Sequence, residues 1–109
     1  MNSRIFNHRP AIDAHCRRFG VQRLFLFGSA ASSDPDGSPG FEAGRSDFDF
    51  YVEFGPPPTG SRADQYFGLL FALQETLGTK VDLVEVGAIQ NPIVLASVER
   101  TKVPVYAAA

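Results

Sequence analysis

Leu24-Phe25-Leu26-Phe27-Gly28-Ser29 and, further on, Ser46-Asp47-Phe48-Asp49-Phe50-Tyr51-Val52 are the two stretches that decide the fold. The first predicts a buried strand over residues 23–27 that stops at a glycine-serine turn. The second alternates polar and apolar residues, which predicts a strand with one face in the core and the other facing solvent or a cleft. Its two aspartates stand at i and i+2, so both carboxylates project from one face. Carboxylates placed in this way can hold a divalent metal against phosphate.

The alternation in the second strand continues for eight residues and assigns each residue to a face. The polar face carries Asp47, Asp49, Tyr51 and Glu53, and the apolar face carries Phe48, Phe50, Val52 and Phe54. We therefore expect the phenylalanine-rich face to pack in the core and the aspartate face to line solvent or a cleft.

The remaining elements are predicted from helix caps and from hydrophobic periodicity. A short amphipathic helix is expected from Pro10 to Phe19, and a heavily buried helix is expected from a capping box at Ser61 to Leu77, ended by Gly78. Further predictions are a strand over residues 81–86, a helix over 93–100, an edge strand over 103–106, and a helical turn with a mobile loop over 30–45.

Composition limits the class of protein. The 109 residues suit one domain spanning 1–109, and the apolar content of 44% is that of a globular chain. A net charge of -2 argues against nucleic-acid binding as the main function. Cys16 is the only cysteine, and neither a signal peptide nor an apolar run long enough for a membrane helix is visible. These features predict a cytoplasmic protein.

Nucleotidyl transfer requires charge neutralisation, an aligned attacking oxygen and bound metal ions. Asp47 and Asp49 are the candidate metal ligands, and an oxygen-only ligand set favours Mg²⁺. Gly28 allows close approach of the backbone, and the Ser29 hydroxyl can bond a phosphate oxygen. Asp82, on the third predicted strand, could bind metal or accept the proton of the attacking hydroxyl.

Each signal has a simpler explanation when taken alone. An aspartate pair on a strand is more often a polar face than a metal site, a glycine-serine turn is common, and Asp82 by itself would be an ordinary strand-end acid. Together they occur in the order, and on the elements, that a single site requires. Gln65 and Tyr66 are weaker candidates for contact with a nucleotide, while Cys16 is expected in the core.

The combination resembles the minimal nucleotidyltransferase (MNT) domain of the DNA polymerase beta-like superfamily. The matching residues are Gly28-Ser29, Asp47-Phe48-Asp49 and Asp82, and the similarity spans residues 10–106. The resemblance implies an α/β (α+β) fold with a small mixed sheet flanked by helices, as in a polymerase palm, with Mg²⁺ as cofactor and ATP as donor. It also implies an antitoxin that transfers AMP to a tyrosine hydroxyl of a partner HEPN toxin, in a hetero-oligomer.

The segment after Ser29 departs from the family pattern. It reads Ala30-Ala31-Ser32-Ser33 where relatives usually carry an arginine, and Arg45 or Arg62 could take over the missing phosphate contact. Two alternatives therefore stay open: an antitoxin that neutralises its toxin by binding alone, and a nucleotidyltransferase that acts on a small-molecule acceptor.

Overall fold

A computed structural model of the chain describes residues 3–27, 48–58 and 60–108. The described elements are α1 (Ser3–Asn7), α2 (Arg9–Arg18), β1 (Val21–Phe27), β2 (Phe48–Phe54), α3 (Arg62–Leu77), β3 (Val81–Glu85), α4 (Pro92–Thr101) and β4 (Val103–Ala107). The predicted turn and loop over residues 30–45 lie outside the described residues.

Four strands form one mixed sheet in the order β3-β2-β1-β4. The β1 strand pairs antiparallel with both β2 and β4, whereas β2 and β3 run parallel. Parallel neighbours need a crossover, and α3 supplies it. The small mixed sheet with flanking helices confirms the fold class, and β4 lies at an edge as predicted.

One face of the sheet packs against α1, α2 and α3 to form the core. From β2 it receives Phe48, Phe50 and Val52, which are at most 3% exposed. This is the apolar face predicted from the alternation along that strand, and its burial follows from the hydrophobic effect. Cys16 is fully buried in the same cluster, as expected.

The predicted boundaries of α3 are confirmed by its caps. The Ser61 side chain accepts a hydrogen bond from the Asp64 backbone N–H, and the Asp64 carboxylate accepts one from the Ser61 N–H. At the other end Gly78 adopts a left-handed conformation with φ of +67°, which is costly for a residue with a Cβ. Both termini of α3 are therefore encoded locally.

The expected burial of α3 is wrong for two of its phenylalanines. Phe67 and Phe71 are 50% and 60% exposed, and their rings stack with centroids 6.1 Å apart. The buried stripe instead recurs every four residues and consists of Gln65, Leu69, Leu73 and Leu77. A helix on the outside of a sheet can bury only one stripe, whatever its total apolar content.

The other elements begin and end close to the predicted positions. The β1 strand starts two residues earlier than expected, at Val21, and α2 ends at Arg18. Pro92 opens α4, whose N-cap Asn91 accepts hydrogen bonds from two backbone N–H groups. Within the described part of the chain, no helix has the length and hydropathy needed to cross a membrane.

Candidate active site

The predicted site residues divide between described and undescribed parts of the chain. Asp49 lies on β2 and Asp82 on β3, both within the described residues. Gly28, Ser29 and Asp47 lie outside them, as do the turn residues Ala30-Ala31-Ser32-Ser33 and Arg45. The geometry of the site therefore rests on the two described aspartates and the strands that carry them.

Asp49 and Asp82 are brought together by the pairing of β2 with β3. They are Cα partners in the parallel register, and neighbouring strands lie about 4.8 Å apart. Residues paired in this way point to the same face of the sheet, which here is the face opposite the phenylalanine side chains of β2. Asp49 is partly buried and Asp82 is exposed. The predicted pairing of a third-strand aspartate with the D-x-D strand is thus present.

The end of β1 lies beside the same pair. Phe27, the last residue of β1, is the antiparallel Cα partner of Asp49. Gly28 and Ser29 follow Phe27 directly in the sequence. The chain therefore leaves β1 toward the glycine-serine turn at the row of residues that contains Asp49 and Asp82.

The two aspartates fit a hard divalent cation. Carboxylate oxygens are the ligands that Mg²⁺ prefers, together with water and substrate phosphate. The residues 3–27, 48–58 and 60–108 contain no cluster of three or more His, Cys, Asp or Glu residues with metal-binding geometry.

The sequence profile of the nucleotidyltransferase domain family matches residues 9–104. The chain belongs to this family. It is a nucleotidyltransferase, and the resemblance drawn from Gly28-Ser29, Asp47-Phe48-Asp49 and Asp82 is confirmed at the level of the family.

Individual relatives are similar in sequence or in structure. A proposed protein adenylyltransferase of Methanocaldococcus jannaschii is 35% identical over 82 residues, which cover 75% of this chain and 74% of that protein. A solved structure described as a minimal nucleotidyltransferase superposes with a TM-score of 0.66 at 29% identity, covering 91% and 90% of the two chains. An MNT antitoxin, solved in complex with a tri-AMPylated HEPN toxin of Shewanella oneidensis, superposes with a TM-score of 0.61 at 18% identity, covering 95% and 73%.

Part of the aspartate face of this nucleotidyltransferase is covered, contrary to expectation. Tyr51 lies on that face, two residues from Asp49, yet it is only 2% exposed. Its ring contacts the rings of Phe25 and Phe27, each with centroids 6.3 Å away. Its hydroxyl hydrogen-bonds to Glu99 on α4. The C-terminal part of α4 therefore lies over the second face, which the alternation along β2 alone could not reveal.

Burial raises the pKa of Tyr51, and the neighbouring Glu99 carboxylate raises it further. The hydroxyl is protonated at neutral pH even without this shift, and it donates to the Glu99 carboxylate. Tyr51 thus has a structural role beside the site, since its proton is held between β2 and α4.

Arg62 does not reach the aspartates. It lies at the start of α3 and its guanidinium is 3.9 Å from the Glu85 carboxylate, at the end of β3. Asp82 lies three residues earlier on that strand, or about 10 Å away along it. Arg62 is therefore not the replacement for the arginine missing after Ser29.

Gln65 and Tyr66 both hydrogen-bond to backbone carbonyls, and the nucleotide contact expected of them stays a prediction. The Gln65 side chain is 2% exposed, and its amide nitrogen donates to the backbone carbonyls of Phe19 and Gly55 at 2.8 and 3.1 Å. The Tyr66 hydroxyl donates to the backbone carbonyl of Leu83. Both side chains join α3 to the ends or edges of strands.

Two other candidates for chemistry lie on the core side of the sheet. Burial raises the pKa of the Cys16 thiol to about 12, so this cysteine is not a nucleophile at neutral pH. The His15 ring is hydrogen-bonded to the Thr76 hydroxyl at 2.8 Å. Burial lowers the pKa of His15. These contacts join α2 to α3, far from the aspartate face.

Proposed function

We propose that this nucleotidyltransferase is a Mg²⁺-dependent protein adenylyltransferase that transfers AMP from ATP to a tyrosine hydroxyl of a HEPN-type toxin. The observation that supports it best is the register that pairs Asp49 with Asp82 on adjacent parallel strands. Two carboxylates facing one another at the end of β1 suit a reaction on a metal-bound polyphosphate.

In this proposal each site residue has a defined role. Asp47 and Asp49 bind Mg²⁺, and Asp82 binds it too or accepts the proton of the acceptor hydroxyl. Gly28 and Ser29 seat the triphosphate. Bound Mg²⁺ would neutralise phosphate charge and stabilise the charge that develops during transfer.

The reaction exchanges one phosphorus–oxygen bond for another. The acceptor oxygen attacks the α-phosphorus of ATP and forms a new O–P bond, while the bond from that phosphorus to the bridging oxygen breaks. Pyrophosphate leaves with the electron pair of the broken bond, and the hydroxyl proton passes to Asp82 or to water. Positioning and electrostatics supply most of the catalysis in such reactions.

The choice of a protein acceptor rests on the relatives. The M. jannaschii relative is named for protein adenylylation, and the S. oneidensis toxin bound by an MNT antitoxin carries AMP groups. The described part of this chain consists of a single sheet with its helices. A partner that presents its own hydroxyl at the aspartate face would meet the need for an acceptor.

The test is transfer of label from α-labelled ATP, with Mg²⁺, to the protein encoded by the adjacent gene. The proposal expects label on that protein, loss of label with Asp49→Asn, and loss of its toxicity once it is modified. A matched control is Glu75→Gln, which removes one exposed negative charge from α3 on the other side of the sheet. Neutralisation that persists in Asp47→Ala with Asp49→Ala, and without transfer, would show an antitoxin that acts by binding alone. Label on a small molecule would show the third activity.

A further inference from the structure

The C-terminal end of α4, which lies over the aspartate face, carries a charged side chain. Lys102 directly follows α4, and its ammonium is 2.6 Å from the Glu99 carboxylate. The same ammonium lies 4.3 Å from the centre of the Phe25 ring and 5.8 Å from that of Tyr51. A cation is therefore fixed above two aromatic rings on the face that carries Asp49.

Packing alone does not explain a lysine at this position. The Lys102 side chain is only 24% exposed, whereas that of Glu99 is 48% exposed. A partly buried ammonium has lost hydration and much of its rotamer freedom, and ion pairs at protein surfaces return little stability. An apolar side chain would cover Phe25 and Tyr51 without desolvating a charge, although it would lose the cation–π contacts. A fixed, partly desolvated ammonium is on the other hand well prepared to bind an anion.

The Lys102 ammonium lies over the residue pair next to the one that contains Asp49 on this face of the sheet. Phe25 and Tyr51 are paired across β1 and β2, and the next pair on the same face, toward the end of β1, is Phe27 with Asp49. Successive residues on one face of a strand are about 7 Å apart. A phosphate chain held at the row of Asp49 and Asp82 can bridge this distance, because its terminal phosphates extend beyond the one that reacts.

Several acidic side chains share this face among the described residues. The face carries the carboxylates of Asp49, Glu53 and Asp82, and the Arg23 guanidinium is paired with Glu53 at 2.8 Å. A bound triphosphate adds further negative charge. Lysine binds phosphate as a point charge, and its bond to an anionic oxygen is among the stronger hydrogen bonds in proteins.

We propose that Lys102 binds a non-reacting phosphate, the β or the γ, of the nucleotide, and that Glu99 is a positioning residue that holds the ammonium over Phe25. The inference rests on the proposed function, since it assumes a nucleotide at the aspartate face. Tyr51 contributes by hydrogen-bonding to Glu99, which connects the Glu99–Lys102 pair to the strand that carries Asp49.

Direct binding of nucleotides tests this without requiring transfer. Lys102→Met removes the charge but keeps an apolar stem over Phe25, and Lys102→Arg keeps the charge. Titrations with Mg²⁺ and either AMP-PNP or AMP separate the terminal phosphates from the reacting one. We expect Lys102→Met to weaken AMP-PNP binding roughly ten-fold, as loss of a charge-assisted hydrogen bond would, and to change AMP binding less than about two-fold. Lys102→Arg should retain most of the affinity.

Arg17→Met is the matched control, since it removes an exposed cation from α2 on the opposite face. It should leave both affinities unchanged. In the transfer assay Lys102→Met should raise the KM for ATP about as much as it weakens AMP-PNP binding, with kcat nearly constant. Glu99→Gln should give a smaller loss for AMP-PNP, because the ammonium remains but is no longer held.

Equal binding of AMP-PNP by the wild-type protein and by Lys102→Met would overturn the inference. So would a parallel loss of AMP and AMP-PNP binding, which is the signature of a residue that only supports the fold. If Lys102→Met does not fold, as judged from its thermal melt, Lys102→Gln gives the same comparison. A wild-type protein that binds neither ligand would instead contradict the proposed function.

Discussion

The two faces of the sheet differ in what their side chains do, although the same strands supply both. On one face Phe48, Phe50 and Val52 pack against helices and are almost fully buried. On the other face Asp49 is paired with Asp82, and Tyr51 is covered by Glu99 and Lys102 from the end of α4. The core face supplies stability, and we infer that the aspartate face supplies chemistry. Variants on the two faces should therefore affect different measurements.

The largest expected effect is the loss of transfer in Asp49→Asn. Removing a ligand carboxylate from a phosphoryl-transfer site should lower kcat by about 100-fold or more, because the stabilisation of charge at the metal is worth several kcal/mol. The thermal midpoint should change little in comparison, because asparagine keeps the size of the side chain at this position of β2. Label transfer and a thermal melt measure the two quantities.

Full transfer activity in Asp49→Asn would remove the functional distinction between the faces. Glu75→Gln serves again as the control, and it should change neither measurement.

On the core face the expected effect is on stability. Leu73 lies on the buried stripe of α3 and is fully buried, so Leu73→Ala should lower the free energy of unfolding by about 2–5 kcal/mol. Denaturant unfolding measures this loss. Phe71→Ala on the same helix is the matched control, because the Phe71 ring is 60% exposed. It should lower the free energy of unfolding by less than about 1 kcal/mol.

Equal losses in Leu73→Ala and Phe71→Ala would contradict the placement of α3. They would indicate that the two stacked phenylalanines are covered in the free protein.

The covered part of the aspartate face should give an intermediate effect. Tyr51→Phe keeps the ring contacts with Phe25 and Phe27 and removes only the hydrogen bond to Glu99. The expected cost is about 1 kcal/mol, since water can replace the hydroxyl at the partly exposed carboxylate. A double-mutant cycle with Glu99→Gln isolates that bond. Strictly additive losses would show that Tyr51 and Glu99 are not coupled.

The smallest effect is a dependence of stability on pH from the core side. Burial lowers the pKa of His15 in the folded protein below its ordinary value of 6.5, so the unfolded chain binds more protons between these two pKa values. Stability should therefore be complete above pH 6.5 and should fall as the pH drops through this window. His15→Gln should flatten that part of the curve measured by denaturant unfolding. An unchanged slope would assign the pH dependence to other groups.

Much of the fold follows from local sequence. The caps at Ser61 and Gly78 set the ends of α3, and the alternation along β2 assigns its phenylalanines to the core, because both depend on residues within a few positions of each other. Composition did not predict which side chains of a helix are buried, because burial depends on the elements that the helix packs against. The apolar content of α3 suggested burial all round, yet Phe67 and Phe71 face outward because only one stripe meets the sheet.

The candidate site divides in the same way. Asp49 and Asp82 were predicted as site residues from their types and from the strands that carry them, and their pairing confirms that both lie at one place on the sheet. The hydrogen bonds of Gln65 and Tyr66 were not predictable locally, because their partners are carbonyls 10 or more positions away along the chain. Lys102 could not be predicted from its neighbours in the sequence, because the tyrosine it contacts, Tyr51, lies about fifty positions earlier.

By itself, then, the sequence determined the strands, the helix ends, and two carboxylates that can meet on one face. Those features are local, or follow from the period of two that every strand shares. Only the tertiary structure decided what lies above that face. The return of α4 and β4 across the sheet places Glu99 and Lys102 over Tyr51, and such contacts depend on the path of the whole chain.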